Sequence, residues 1–85
     1  MSKPIVVLCN GVFDVIHYGH ILHLEAAKKM GDILWVSVTD DAHVLKGAGR
    51  PRFPQEHRLA IIKAMTKYVD KAFCCSGLIE AIDFV

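Results

Sequence analysis

Between positions 10 and 20 the chain reads Asn10-Gly11-Val12-Phe13-Asp14-Val15-Ile16-His17-Tyr18-Gly19-His20, a string dense in groups that can handle a phosphate. His17 and His20 are three residues apart, so on a helix their rings share one face. Two imidazoles beside a helix start form a donor pair for phosphate oxygens. The free N–H groups of the first turn and the helix dipole add to the attraction for an anion. Gly19 between the histidines leaves room for a phosphate chain, and Gly11, lacking a side chain, lets a ligand approach the backbone. Asp14 has two tasks open to it, holding a histidine in one tautomer or orienting the turn. A simple helix cap is its plainer reading, and Phe13 reads first as core packing.

A second polar group lies in the segment Lys46 to Pro54, KGAGRPRFP. Lys46 is a mobile point charge suited to phosphate, and Arg50 offers a planar fork that grips phosphate through two hydrogen bonds. Arg58, one turn into the helix expected next, is placed to reach the same ligand. Solvated surface charge is the ordinary alternative for Lys46, Arg50 and Arg58, and more so for Arg52. His23, His43 and His57 read as ordinary surface or core histidines. His17, His20 and His23 share a spacing of three, but no cysteine or carboxylate stands at zinc-site spacing from them, so no metal site is expected among them.

These groups need elements to position them. Ile5–Cys9, IVVLC, is short, apolar and β-branched, as expected of a strand buried on both faces of a parallel sheet. A helix is expected from Tyr18 or Gly19 to Met30, with Ile21, Leu24 and Ala27 at helical spacing, Glu25 four residues before Lys29, and Gly31 as its stop. Ile33–Val38 is a second buried strand, and Thr39-Asp40-Asp41 caps a short helical turn reaching Val44. The glycines and prolines of the basic loop exclude regular structure there. A second helix starts at Pro54 or Gln55 and runs to about Lys67. Val69–Cys75 gives a third strand and Gly77–Phe84 the start of a third helix. The order β-α-β-α-β-α implies a parallel sheet with right-handed crossovers and helices on its faces, with ligands bound beyond the carboxyl ends of the strands. The string from Asn10 to His20 follows the first strand at that edge.

The 85 residues suffice for one small domain, and 53% are hydrophobic, which argues against disorder. A net charge of +1 offers no basic face for a nucleic-acid backbone. No apolar run reaches the roughly 18 residues of a membrane span, and the start is too short for a signal peptide's core. Cys9, Cys74 and Cys75 are odd in number and form no C-x-x-C pair, consistent with reduced packing thiols in a cytoplasmic protein. The chain stops on Ile82, Phe84 and Val85, apolar residues at the end of a three-stranded sheet, as a fragment would, or a chain completed by a partner.

Gly11-Val12-Phe13-Asp14 followed by His17-Tyr18-Gly19-His20 resembles the cytidylyltransferase-like nucleotidyltransferases, whose signature is G-x-F-D-x-x-H-x-G-H. The resemblance continues through Gly31-Asp32, Asp41, the loop from Lys46 to Pro51, Glu56-His57-Arg58 and Val69-Asp70, nearly the whole chain. Asn10 and the K-G-x-G-R-P loop look most similar to the adenylyltransferase part of ADP-heptose synthases. Glycerol-3-phosphate cytidylyltransferases share the core motif but usually differ in that loop, and archaeal FAD synthases are more distant. The resemblance implies an α/β, Rossmann-like three-layer fold, a parallel sheet with helices on both faces, truncated here after about three strands, so that residues 1–85 form the N-terminal part of one nucleotidyltransferase domain.

It further implies transfer of AMP or CMP from a nucleoside triphosphate to a phosphorylated sugar or polyol. A phosphate oxygen of the acceptor attacks the α-phosphorus and pyrophosphate leaves, with Mg²⁺ neutralising the leaving group. His17, His20 and Lys46 would be the catalytic donors, and Asn10, Gly11, Phe13, Asp14, Gly19, Arg50 and Arg58 would line the nucleotide site. Family members are often dimers, so a homodimer is among the expected assemblies. The family's second motif, I-S-T/S-S/T after a basic residue, finds no match beyond Val69. The alternative is therefore a truncated, non-catalytic nucleotide-binding or interaction module.

Overall fold

The computed structural model describes residues 3–44 and 51–77. Its elements run β1 (Val6–Gly11), α1 (Tyr18–Lys29), β2 (Ile33–Thr39), a 3-10 turn (Asp41–His43), α2 (Gln55–Ala64) and β3 (Lys71–Cys75). The three strands are parallel in the order β1-β2-β3, with Cys9 beside Val36 and Val38 beside Cys74. The Rossmann-like α/β class expected from the alternating pattern is therefore the fold of the chain.

Period-two alternation decides what each strand buries. Leu34, Val36 and Val38 of β2 are completely enclosed. They pack with Val7 and Cys9 of β1, Ala72 and Cys74 of β3, Leu24 and Ala27 of α1, and Leu59 and Ile62 of α2 in one cluster. Both described helices thus cover the same face. This follows from the strand order, because two successive crossovers of one hand in one direction return on one side. On the opposite face Trp35 lies edge-on to Phe73, ring centroids 6.3 Å apart, with the Lys71 ammonium 4.5 Å from the indole centre. The expected cover of that face falls on the third helix, Gly77–Phe84, of which residues 78–85 lie outside the described residues.

Two boundaries differ from expectation for local reasons. The second helix stops at Ala64, three residues short of Lys67, because the Met65 carbonyl accepts from the amides of Tyr68 (3.1 Å) and Val69 (2.9 Å), which turns the chain. That turn sends Val69 into the core and the Tyr68 hydroxyl to Glu25 on α1, 3.0 Å away. The third strand starts at Lys71 rather than Val69, since Asp70 accepts the Leu34 amide on its side chain, 2.7 Å away. The cysteines are free, and burial pushes the Cys9 and Cys74 thiols above their ordinary value, as suits packing residues.

The Asp70 carboxylate also meets the Lys28 ammonium at 2.5 Å, and these bonds hold its pKa below the ordinary 3.8, the Lys28 hydrogen bond first and the Leu34 amide second. A depressed folded-state value stabilises the protein above the unfolded value, and that gain disappears as pH falls through the folded one. We expect Asp70→Asn to lower the urea midpoint at about pH 6, with the gap to wild type closing as pH drops toward about 3. A gap that stays constant with pH would contradict the assignment.

Candidate functional site

The carboxyl edge of the sheet carries the motif residues. Phe13 holds a left-handed backbone, φ 53°, which folds its ring back beneath Gly11. A Cβ at Gly11 would lie 2.8 Å from that ring, so only glycine fits there without moving it. The Phe13 ring is buried in the core and its far side meets the His20 ring, centroids 5.6 Å apart and tilted by 58°. Gly11, Phe13 and His20 therefore form a continuous stack from strand end to helix start.

The start of α1 is capped by the histidines themselves. His17 is the N-cap in an extended conformation. Its Nδ1 accepts the Gly19 amide at 3.0 Å, while the His17 amide donates to Nδ1 of His20 at 3.1 Å. This is the reciprocal arrangement that serine and glutamate usually supply at helix starts. An N–H aimed at Nδ1 needs a lone pair there, so the ring proton of each neutral imidazole sits on Nε2. The two rings lie 4.1 Å apart, tilted by 42°. The sequence led us to expect free first-turn amides for an anion. Instead, Gly19 donates to His17 Nδ1, and His20 donates to the His17 carbonyl at 3.0 Å. Each ring thus carries its N–H on Nε2, away from the cap bonds. A Cβ at Gly19 would come within 2.8 Å of His17 Cε1 and 3.0 Å of Nδ1, so the glycine makes room for the ring rather than for a phosphate chain alone.

Arg58 was expected to reach a ligand and instead lies wholly inside the protein. Its Nε donates to the Phe53 carbonyl (3.0 Å), Nη1 to those of Val12 (2.8 Å) and Thr39 (2.6 Å), and Nη2 to the Asp41 carboxylate (2.6 Å). It sits four residues before Ile62, another fully enclosed residue, on the buried stripe of α2. That helical spacing was the signal the sequence held for its burial. Asp14 is also buried, and its carboxylate accepts the amides of Arg52 (2.8 Å) and Phe53 (3.1 Å). Of its two open tasks, these bonds perform the orienting one, tying the turn after β1 to the approach to α2. Asn10 is exposed at the last turn of β1, its amide oxygen accepting from the Ser37 hydroxyl at 2.7 Å. Ser37 and Asp41 were not expected at the site, although a serine between Val36 and Val38 was a visible break in an apolar run. Lys46 and Arg50 lie outside the described residues. Among the described residues no three His, Cys, Asp or Glu side chains gather as a metal site, and no helix is long and apolar enough to cross a membrane.

The architecture is a parallel α/β sheet of Rossmann-like kind with its polar site at the carboxyl edge. The chain belongs to the cytidylyltransferase-like family, whose pattern matches residues 8–77. It is 49% identical over 63 residues to the bifunctional protein HldE of Desulfatibacillum aliphaticivorans, a match covering 72% of this chain and 13% of that protein. It is 40% identical over 82 residues to the bifunctional protein HldE of Shigella flexneri serotype 5b, covering 94% of this chain and 14% of that one. Its fold superposes on the lipopolysaccharide core biosynthesis protein from Thermoplasma volcanium GSS1 with a TM-score of 0.86 and 35% identity, covering 98% of this chain and 69% of the other. This chain therefore spans about one seventh of the length of those HldE relatives, and its kinship is with proteins of the nucleotidyltransferase kind.

Two substitutions test this geometry. Gly19→Ala removes a helix-weakening residue but drives the His17 ring from its cap. Imidazole ¹⁵N spectra should show Nε2–H with bare Nδ1 for both histidines in wild type, and loss of that pattern at His17 in the variant. Arg58→Met leaves three carbonyls, that of Thr39 buried, and a carboxylate without their donor and should cost about 3–5 kcal/mol by chemical denaturation. Arg58→Lys should recover little of it, because one ammonium cannot span four acceptors. A variant as stable as wild type would refute the hub.

Proposed function

We propose that the chain supplies the phosphate-gripping half of a nucleotidyl transfer from a magnesium–nucleoside triphosphate to a phosphorylated sugar, with release of pyrophosphate. The observation that carries this is the pair of imidazoles, ring centroids 4.1 Å apart, whose Nδ1 atoms are held in the cap of α1 at the carboxyl edge of a parallel sheet. In the proposed reaction a phosphate oxygen of the acceptor forms a bond to the α-phosphorus. The bond from that phosphorus to the β-bridging oxygen breaks, and the electron pair leaves with pyrophosphate. His17 and His20 donate to the oxygens on which charge grows, and neither has to take up a proton from the acceptor, whose phosphate is already an anion.

Catalysis of this kind rests on positioned donors, each worth about 2.7–4 kcal/mol. Lys46 and Arg50 of the basic loop would add positive charge. Mg²⁺ would enter with the triphosphate and be held mainly by its oxygens and water, since the described residues build no carboxylate cage for it. The adenylyltransferase-like loop favours ATP over CTP as donor, and a relative named for lipopolysaccharide core biosynthesis favours a sugar phosphate over a polyol phosphate. Three free thiols suit a reducing cytoplasm. The small share of the HldE relatives that this chain covers favours a second reading, a module that binds nucleotide without turning it over.

The histidines both cap α1 and, in this proposal, bind phosphate, so alanine substitutions would confound the two roles. His17→Ser/His20→Glu rebuilds the usual capping box while removing both imidazole donors. In a thermal-shift titration, wild type at about one hundred times Kd for Mg·ATP should gain about 2.7 kcal/mol, a rise on the order of 10 °C for so small a domain. The double variant should fold with a similar unliganded Tm and show no shift. In a pyrophosphate-release assay with ATP and a sugar phosphate, the same double variant should fall at least ~100-fold. Binding without release in wild type would favour the module, and an unshifted wild type that is folded would defeat both readings.

A further inference from the structure

Near its end each strand of the sheet carries a polar residue on the face opposite the described helices, and these residues meet. The Ser37 hydroxyl of β2, completely buried, donates to Oδ1 of Asn10 on β1 at 2.7 Å. The Cys75 thiol of β3, also buried, lies 3.9 Å from the same oxygen and 3.2 Å from the Gly77 carbonyl. The register explains the meeting, since Asn10 pairs with Ser37 and Thr39 with Cys75. A carboxamide is planar and its oxygen and nitrogen point opposite ways, so fixing the oxygen inward on Ser37 sends the NH₂ group outward. Asn10 is exposed, and among the described residues its NH₂ has no hydrogen-bond partner. Left to itself, an exposed asparagine amide flips freely, presenting donor or acceptor. Here the flip would set an NH₂ against a hydroxyl whose nearest other acceptor, the Cys9 carbonyl, is 3.4 Å away.

We propose that Ser37 is a positioning residue that locks Asn10 as a one-way donor for an oxygen of the bound nucleotide. This rests on the nucleotide site proposed above. Asn10 adjoins Gly11, which packs against the Phe13 ring that meets His20, so the amide and the imidazole pair are linked through one strand end. The cluster gives the face opposite the described helices a part in the site, and it adds a neutral donor to the cationic and imidazole ones. The oxygen belongs either to the phosphate chain or to the nucleoside.

The test is a double-mutant cycle read by calorimetric Kd for Mg·ATP, repeated with magnesium tripolyphosphate. Ser37→Ala should weaken Mg·ATP binding about threefold to tenfold, the worth of one well-placed hydrogen bond. In an Asn10→Ala background the same substitution should change Kd by less than about twofold, because its effect passes through Asn10. A merely structural loss at Ser37 would weaken binding equally in both backgrounds and would overturn the proposal, as would a Ser37→Ala protein that binds like wild type. Asn10→Asp covers the case of a poorly folded Ser37→Ala. It keeps an oxygen for Ser37 and turns the outward donor into an anion, so binding should fall by more than in Asn10→Ala. Equal binding by the two Asn10 variants would overturn the proposal. Loss with both ligands assigns the contact to a phosphate oxygen, and loss with Mg·ATP alone assigns it to the nucleoside. Should His17→Ser/His20→Glu bind as wild type while the Asn10–Ser37 coupling persists, the histidine reading fails and this one stands.

Discussion

One buried guanidinium fixes the functional end of this domain. Arg58 is fully enclosed, and a charge taken out of water costs several kcal/mol unless its surroundings replace the lost hydration. They do so with three backbone carbonyls and the Asp41 carboxylate. The relation runs both ways. Val12 and Thr39 lie where β1 and β2 run out, so their carbonyls have left the sheet ladder, and the buried one of Thr39 would otherwise lack a donor. Because Val12, Thr39 and Phe53 come from three separate stretches of chain, a single side chain sets the turn after β1, the exit from β2 and the entry to α2 relative to one another. Asp14 makes the complementary tie, taking the amides of Arg52 and Phe53 with an anion while Arg58 takes the Phe53 carbonyl with a cation. The approach to α2 is thereby held from both of its hydrogen-bonding sides.

That frame gives the histidine pair its meaning. A capping box needs only two acceptors, and Ser and Glu meet the need while offering nothing outward. Imidazole meets it with Nδ1 and keeps a second nitrogen about 2 Å across the ring, so the bonds that start the helix also dictate which nitrogen bears the proton. Helix formation itself thereby orients both rings. The same economy explains Gly19. It donates the amide that holds His17 and must lack a Cβ for that ring to lie so close.

The sequence made the periodic elements plain and the long-range polar ones obscure. The runs Ile5–Cys9 and Ile33–Val38 are too short and too β-branched for helices, and the structure extends them by one or two residues to Gly11 and Thr39 without changing their character. Helix α1 begins and ends almost where its apolar spacing and Gly31 placed it. Arg58 escaped because residue type dominated the reading, a guanidinium after a basic loop suggesting phosphate, while its acceptors lie 5 to 46 residues away in sequence. Its position on the Ile62 stripe argued for burial, but no local rule says which carbonyls will need a donor. The end of α2 was misplaced for a related reason. Lys63 to Lys67 has no glycine or proline to stop a helix, and the stop comes from the tertiary demand that Val69 enter the core and Tyr68 reach Glu25. Lys46 and Arg50, the loop cations of the expected site, lie outside the described residues.

The two edges of the sheet show why the site lies where it does. Parallel strands present amides at their starts and carbonyls at their ends, so the two edges attract opposite charges. At the amino edge the protein supplies anions of its own. Asp32 takes the Ile5 amide at 2.7 Å, and Asp70 takes the Leu34 amide at 2.7 Å. Lys28 then bridges Asp70 and the Asp32 carbonyl, which closes that edge to outside ligands. At the carboxyl edge Arg58 answers the strand-end carbonyls from within. The following helix starts there with the amides of Gly19, His20 and Ile21 already engaged and the imidazoles of His17 and His20 side by side. Self-complementation at one edge and internal neutralisation at the other make the two edges unlike, and among the described residues the imidazole pair stands at the second. The charge pattern of three parallel strands thus distinguishes the edges, and the imidazole caps mark the position along the carboxyl one where the candidate site lies.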